Sequence, residues 1–135
     1  MIYAEFNNIV IENYLGVYPV KDSTKTIAKH LSKLKFKSAL DMGCGTGFIT
    51  IYLKSLNLDC EGVDINPAAI ESAKKNNIEA NFYLSDLFEK VKAEKKFDLI
   101  IFNAPLTDFK FGCVNKYLNI IKSLLPKKKP FISWI

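Results

Sequence analysis

Apolar and polar residues along this chain follow two periods in turn, and the switches between them mark its elements. The segment "DSTKTIAKHLSKL" (22–34) sets Ile27, Leu31 and Leu34 at helical spacing, with Asp22 or Ser23 as the expected N-cap. "SALDM" (38–42) reads as a short buried strand. "GFITIYLKSL" (47–56) reads as a helix with Phe48, Ile51, Tyr52 and Leu56 on one face. A second strand follows in "LDCEGVDI" (58–65), then a helix in "NPAAIESAKKN" (66–76), capped by Asn66 and opened by Pro67. "EANFYLSD" (79–86) is a third strand. "FDLIIFN" (97–103) is a fourth, apolar on both faces as in a parallel sheet. "VNKYLNIIKSLL" (114–125) predicts a helix stopped by Pro126, and "KPFISWI" (129–135) opens a fifth strand.

Strands alternating with helices predict an α/β fold, a parallel sheet flanked by helices with right-handed crossovers. Residues 1–21 read as an N-terminal arm or short hairpin, and 22–135 as the domain proper. At 135 residues the chain supports one core.

Composition removes several kinds of chemistry. The single histidine, His30, argues against a zinc site or a Ser-His-Asp triad. Cys44, Cys60 and Cys113 lack metal-ligand spacing and read as reduced, partly buried side chains. No stretch approaches the run of about 20 apolar residues that spans a bilayer. The first sixteen residues contain no Lys or Arg and do not read as a signal peptide. The expectation is a cytoplasmic protein. The net charge of +5 is carried by lysine alone. That balance is compatible with nucleic acid, but the absence of arginine argues against specific base reading, and a solvated surface is the simpler account.

The strongest local signal is "SALDMGCGTGFIT". Asp41 ends a strand, and Gly43, Gly45 and Gly47 follow before a helix. Glycine serves where the backbone takes positive φ or where a ligand packs against it. In an open α/β sheet the first strand-to-helix turn lies where ligands bind. A dinucleotide turn would place its third glycine at position 48, where Phe48 stands. The pattern instead resembles the first motif of class I S-adenosylmethionine-dependent methyltransferases. Two more acids end the next strands. Asp64 in "GVDINP" suits ribose hydroxyls, and Asp86 in "LSDLF" falls where the family binds the adenine amino group, the next backbone N–H serving the ring. Ile65 and Leu87 follow these acids. The three carboxylates at one sheet edge suit a cationic sulfonium better than a pyrophosphate.

The fourth strand ends in "FNAPL". The place resembles the Asn-Pro-Pro-Tyr motif of methyltransferases that act on planar amide or amino nitrogens. Asn103 and Pro105 match, whereas Ala104 and Leu106 replace the first proline and the aromatic residue. The resemblance implies that Asn103 and a following carbonyl orient the acceptor nitrogen for in-line displacement. The reading that Asn103 only caps a turn stays open. "GVYPVKDSTKTIAKHL" resembles the segment that precedes the first strand in HemK/PrmC-type protein-glutamine methyltransferases, which implies a cofactor contact from Thr24. Pro19 stands one place from the family's proline.

The resemblance implies a Rossmann-like class I methyltransferase fold lacking its C-terminal strands 6 and 7, and S-adenosyl-L-methionine as cofactor. It also implies N-methylation of a protein glutamine, as in a translation release factor. An RNA or DNA amino group is the alternative acceptor, and a non-catalytic cofactor-binding module needing a partner chain is the other alternative. The apolar "PFISWI" on an open edge predicts a partner subunit or homodimer there.

Overall fold

The computed structural model describes residues 3–92, 94–102 and 131–133. Strands β1 (Tyr3–Phe6) and β2 (Ile9–Glu12) pair antiparallel, with Phe6 opposite Ile9. Asn7 and Asn8 form the two-residue turn, both at positive φ (49° and 67°). That handedness matches the twist of the strands, and asparagine tolerates it. The N-terminal arm is therefore a hairpin. It packs on the domain through Phe6, whose ring meets Phe48 and Tyr52 edge-on at 5.9 and 5.5 Å, and through the fully buried Ile11.

Helix α1 (Asp22–Leu31) is capped by Lys21, in extended conformation, and not by Asp22 or Ser23, which lie within its first turn. The hydroxyl of Thr24 reaches back to accept the Lys21 amide at 3.3 Å, and Asp22 keeps its carboxylate where the helix dipole favours it. The helix stops at Leu31. Leu34, expected on its apolar face, lies past the end and is 38% exposed. Leu56 likewise lies just beyond α2 (Phe48–Ser55) and is exposed. There the amides of Leu56 and Asn57 bond the carbonyls of Leu53 and Lys54, and Asn57 turns left-handed (φ 63°), which ends the helix. Helix α3 (Pro67–Asn76) starts as its sequence predicts, the Asn66 side chain accepting the Ala68 amide at 3.0 Å.

Strands β3 (Ser38–Met42), β4 (Asp59–Asp64), β5 (Asn81–Leu84), β6 (Leu99–Phe102) and β7 (Phe131–Ser133) form one parallel sheet in the order β5-β4-β3-β6-β7. The chain steps outward from β3 to β5 and then crosses to the other side of β3. The order thus reverses beside β3, and a crevice opens beyond the strand ends. All four residues of β6 are buried, as its two-faced apolar run requires. Leu99 and Ile101 join Ala39, Cys60, Phe82 and the residues of α1, α2 and α3 in one core. Ile100 and Phe102 join Leu40, Met42, Val63, Phe88 and Phe97 in a second core on the other face. Burying each such large side chain contributes about 1.5–3 kcal/mol. Among the described residues no helix is long and apolar enough to cross a membrane. The helix expected at 114–125 lies outside the described residues.

Candidate functional site

The glycine turn between β3 and α2 is built by backbone bonds to its neighbour strand. The amides of Gly43 and Cys44 both donate to the Val63 carbonyl, at 2.8 and 2.9 Å. Its glycines divide the labour. At Gly47 (φ +93°) an added Cβ would stand 2.6 Å from Phe82 Cζ and 3.1 Å from Ala73 Cβ, so this glycine lets α2 close onto the sheet. At Gly45 (φ +55°) an added Cβ would meet nothing nearer than the Tyr18 carbonyl oxygen, 3.9 Å away. That open side faces a cavity of about 750 Å³ beyond the C-terminal ends of β3, β4 and β5, within the usual size of a small-molecule site.

Asp64, at the end of β4, is half-buried on the cavity wall. Its Oδ2 accepts the Gly45 amide at 2.9 Å and its Oδ1 the Asn66 amide at 3.0 Å. A carboxylate offers four acceptor directions, so two remain for a ligand's paired hydroxyls. Asp86 and Leu87 also line the cavity. Leu87 is held left-handed (φ 53°), a conformation that a branched side chain adopts only where its surroundings impose it. Ser85 imposes it here. Its hydroxyl donates to the Leu87 carbonyl at 2.6 Å and accepts the Lys90 amide at 3.0 Å.

Of the residues expected from sequence, Thr24, Gly43, Gly45, Asp64, Ile65, Asp86 and Leu87 all line this cavity. Asp41 and Gly47 do not. The Asp41 side chain is fully buried and accepts the Thr50 hydroxyl at 2.9 Å, fixing the start of α2 to β3. Asn103, Ala104, Pro105 and Leu106 lie outside the described residues. Phe102, the residue before Asn103, pairs with Met42, the residue before Gly43.

Other residues were not singled out from sequence as parts of a site. Val17, Tyr18 and Pro19 arch over the cavity as one wall. Asn66 holds that wall, its side-chain amide donating to the Gly16 carbonyl at 3.1 Å while its oxygen caps α3. Its pairing with Pro67 signalled the cap and hid the second bond. Cys44 lies beside Asp64 in the turn. Burial pushes its thiol well above the ordinary value, and the Asp41 and Asp64 carboxylates push it further. It is neutral at pH 7 and no nucleophile.

Residues 9–125 match the sequence model of the family described as methyltransferase small domain. The chain belongs to this family. A provisionally named protein N5-glutamine methyltransferase of Methanocaldococcus jannaschii is 38% identical over 121 residues, 85% of this chain and 60% of that protein. A ribosomal RNA small subunit methyltransferase C of Buchnera aphidicola is 33% identical over 114 residues, 77% of this chain and 35% of that protein. The chain thus spans between about a third and three fifths of these two relatives. The fold is that of the T. thermophilus 16S rRNA N2 methyltransferase solved with AdoMet and guanosine. The two superpose with a TM-score of 0.77 at 20% identity, over 97% of this chain and 40% of that one.

A TehB-like SAM-dependent methyltransferase of Corynebacterium glutamicum matches at 25% identity with a TM-score of 0.66, over 81% of this chain and 64% of that one, and the cavity fits S-adenosylmethionine. The clear space above Gly45 admits a ligand against backbone, and Asp64, with acceptor capacity beyond its two amide bonds, lines the same cavity. Thr24, Gly43, Gly45, Asp64, Asp86 and Leu87, which line it, are the residues that would hold such a cofactor.

Proposed function

We propose that this chain is an S-adenosylmethionine-dependent N-methyltransferase whose acceptor is a planar amide or amino nitrogen, the side-chain amide of a protein glutamine first. The pairing of Phe102 with Met42 carries the reading, because it brings the end of β6 level with the glycine turn. Asn103, next in sequence, is the residue this reading assigns to the acceptor nitrogen. In this reading its side-chain oxygen and a carbonyl of the Ala104-Pro105-Leu106 turn accept the two hydrogens of the acceptor nitrogen. That aligns a delocalised, poorly nucleophilic nitrogen for attack. When bound, the cofactor supplies an activated methyl group. The acceptor nitrogen would take that methyl group and give up a proton to solvent. Thr24 and Gly45 hold the amino-acid end, Asp64 the ribose, and Asp86 with Leu87 the base.

The glutamine of a translation release factor is the leading acceptor. The Tyr18-Pro19 segment ahead of Thr24 supports it, and the M. jannaschii relative's name supports a protein glutamine. An RNA amino group is a second reading, favoured by the relative named for ribosomal RNA. A partner subunit or second copy against the outer edge of β7 accompanies either one. Incubation of the purified chain with methyl-labelled cofactor and cell extract tests the acceptor. Label in a protein band supports glutamine and label in RNA the second reading; cofactor binding with label in neither defeats both.

A further inference from the structure

Six of the chain's lysines fall between positions 21 and 37, and Asp22 is the only acid among them. Four of these, Lys21, Lys25, Lys29 and Lys33, recur at every fourth residue. At the helical rise, Lys21, Lys25 and Lys29 stand about 6 Å apart along α1, and Lys33 follows in the turn past its end. The row begins at the cavity, whose wall includes Lys21 and Thr24, and runs away from it. Lys21, Lys29 and Lys33 are exposed and Lys25 is half-buried. Among the described residues none of the four is ion-paired; Glu71 and Glu61 pair with Lys75 and Lys95. Helix α2, which packs against α1, adds Lys54 and no acid. Asp22 is the one acid within the row; beyond its far end Asp98 accepts the Lys37 amide at 2.8 Å and Asp59 donates its own amide to the Lys37 carbonyl. A merely solvated face intersperses its signs, as where Lys90 and Lys92 sit between Glu89 and Glu94. The α1 row carries a single acid, Asp22, at its start and none from Ser23 to Lys37.

An aromatic ring stands at the cavity end of this row. Tyr18 lines the cavity yet is 87% exposed, with Lys21 Nζ 6.0 Å from its ring centroid. A cationic row that follows a backbone, with an exposed ring on which a base can stack, is the physical make-up of a single-strand nucleic-acid site. We infer that α1 is a track for single-stranded RNA, with phosphates on Lys21, Lys25, Lys29 and Lys33 and a base stacked on Tyr18 at the cavity mouth. The lysines are point charges that fix position and carry no base code; selection falls to Tyr18 and the cavity. The choice of RNA rests on the second reading above. The track rests on the charge of α1.

The test is fluorescence anisotropy of the full chain with a labelled single-stranded RNA of about 12 nucleotides, long enough for one such site, over a series of KCl concentrations. Four phosphate contacts give a slope of log K against log salt of about −2.8. The double variant Lys25→Gln/Lys29→Gln reduces that slope by about 1.4 and weakens binding by roughly ten-fold or more, with unchanged affinity for S-adenosylhomocysteine. Tyr18→Ala weakens it by about five-fold or more, and Tyr18→Phe does not. Lys90→Gln/Lys92→Gln, an equal loss of charge, leaves binding within about two-fold.

Parent-like binding by the Lys25/Lys29 variant overturns the track, as does an equal loss in the Lys90/Lys92 variant. Equal competition by a polyglutamate of the same charge assigns the row to an acidic protein and also overturns it. Tighter binding of the matching DNA strand overturns the choice of RNA. Transfer of label to the bound oligonucleotide is scored separately: its absence removes the RNA acceptor and leaves the track standing.

Discussion

Asp64 grips the turn it is read to serve: its Oδ2 accepts the Gly45 amide at 2.9 Å across 19 positions of sequence. The same carboxylate therefore shapes the glycine turn and lines the cavity. In Asp64→Asn one oxygen becomes an amide donor that must confront either the Gly45 or the Asn66 amide. Calorimetry should show S-adenosylhomocysteine binding weakened by about 1.5–3 kcal/mol, the scale of hydrogen bonds to a charged group. Asp41→Asn, beside Thr50, should lower the melting temperature with a smaller change in affinity. Equal affinity losses in the two variants would refute the division of roles.

Gly45 and Gly47 are separable by substitution. Gly47→Ala combines a left-handed backbone with a Cβ 2.6 Å from Phe82, and should cost about 2–4 kcal/mol in urea unfolding, as overpacking and strain together do. Gly45→Ala pays mainly the left-handed penalty of about 1–2 kcal/mol. It should fold but lose most cofactor affinity, because its methyl enters the cavity. A Gly45→Ala protein that binds normally would move the ligand elsewhere.

Asn76, at the end of α3, accepts the Glu12 amide at 3.0 Å and donates to the carbonyls of Glu12 and Thr46 at 3.1 and 3.0 Å. One side chain thus joins the hairpin to the glycine turn. Asn76→Ala should cost about 2–3 kcal/mol, since three backbone groups lose their partner. Hydrogen exchange should rise in β2 and in the turn together; a rise confined to β2 would disprove the coupling.

The buried thiols make stability depend on alkaline pH. Burial, and then the Asp41 carboxylate, raise both Cys44 and Cys60 well above the ordinary value of 9.0. The unfolded chain sheds these protons first, so their contribution is complete below about pH 9 and is lost as pH rises beyond it. Urea midpoints measured from pH 7 to 10 should fall above 9, and more shallowly in a Cys44→Ala/Cys60→Ala variant. Identical slopes would exclude the thiols as the cause.

Asn103→Ala tests the catalytic reading most directly. Loss of a preorganised contact should lower turnover by about 10²–10³ with the melt little changed. A variant that keeps its activity and loses about 1 kcal/mol of stability, the worth of a cap, would make Asn103 a turn residue.

Much of the frame was legible because period and punctuation agreed. Asn66-Pro67 started α3, and the two-faced run Leu99–Phe102 declared a central parallel strand. Helix ends were less legible. Leu34 and Leu56 keep the helical spacing, but local turns closed α1 and α2 before them. The acids at the strand ends located the cavity, yet position alone could not tell Asp64, which faces it, from Asp41, which is buried on Thr50. Strand alternation decides a residue's face only once the neighbouring helices are placed. Asn76 carried no signal at all, since its bonds span 30 and 64 positions.

Those long spans set an order of assembly. During synthesis the N-terminal hairpin emerges before any of the sheet, and nascent domains organise from that end. But Ile11 needs the core that α2 and α3 complete, and Glu12 needs Asn76. An isolated two-stranded hairpin is at best marginal in water. The hairpin, made before the sheet, is therefore among the last elements to dock. Residues 16–20, which follow the hairpin and line the cavity, gain the Asn66 bond to the Gly16 carbonyl only when the cap of α3 is in place.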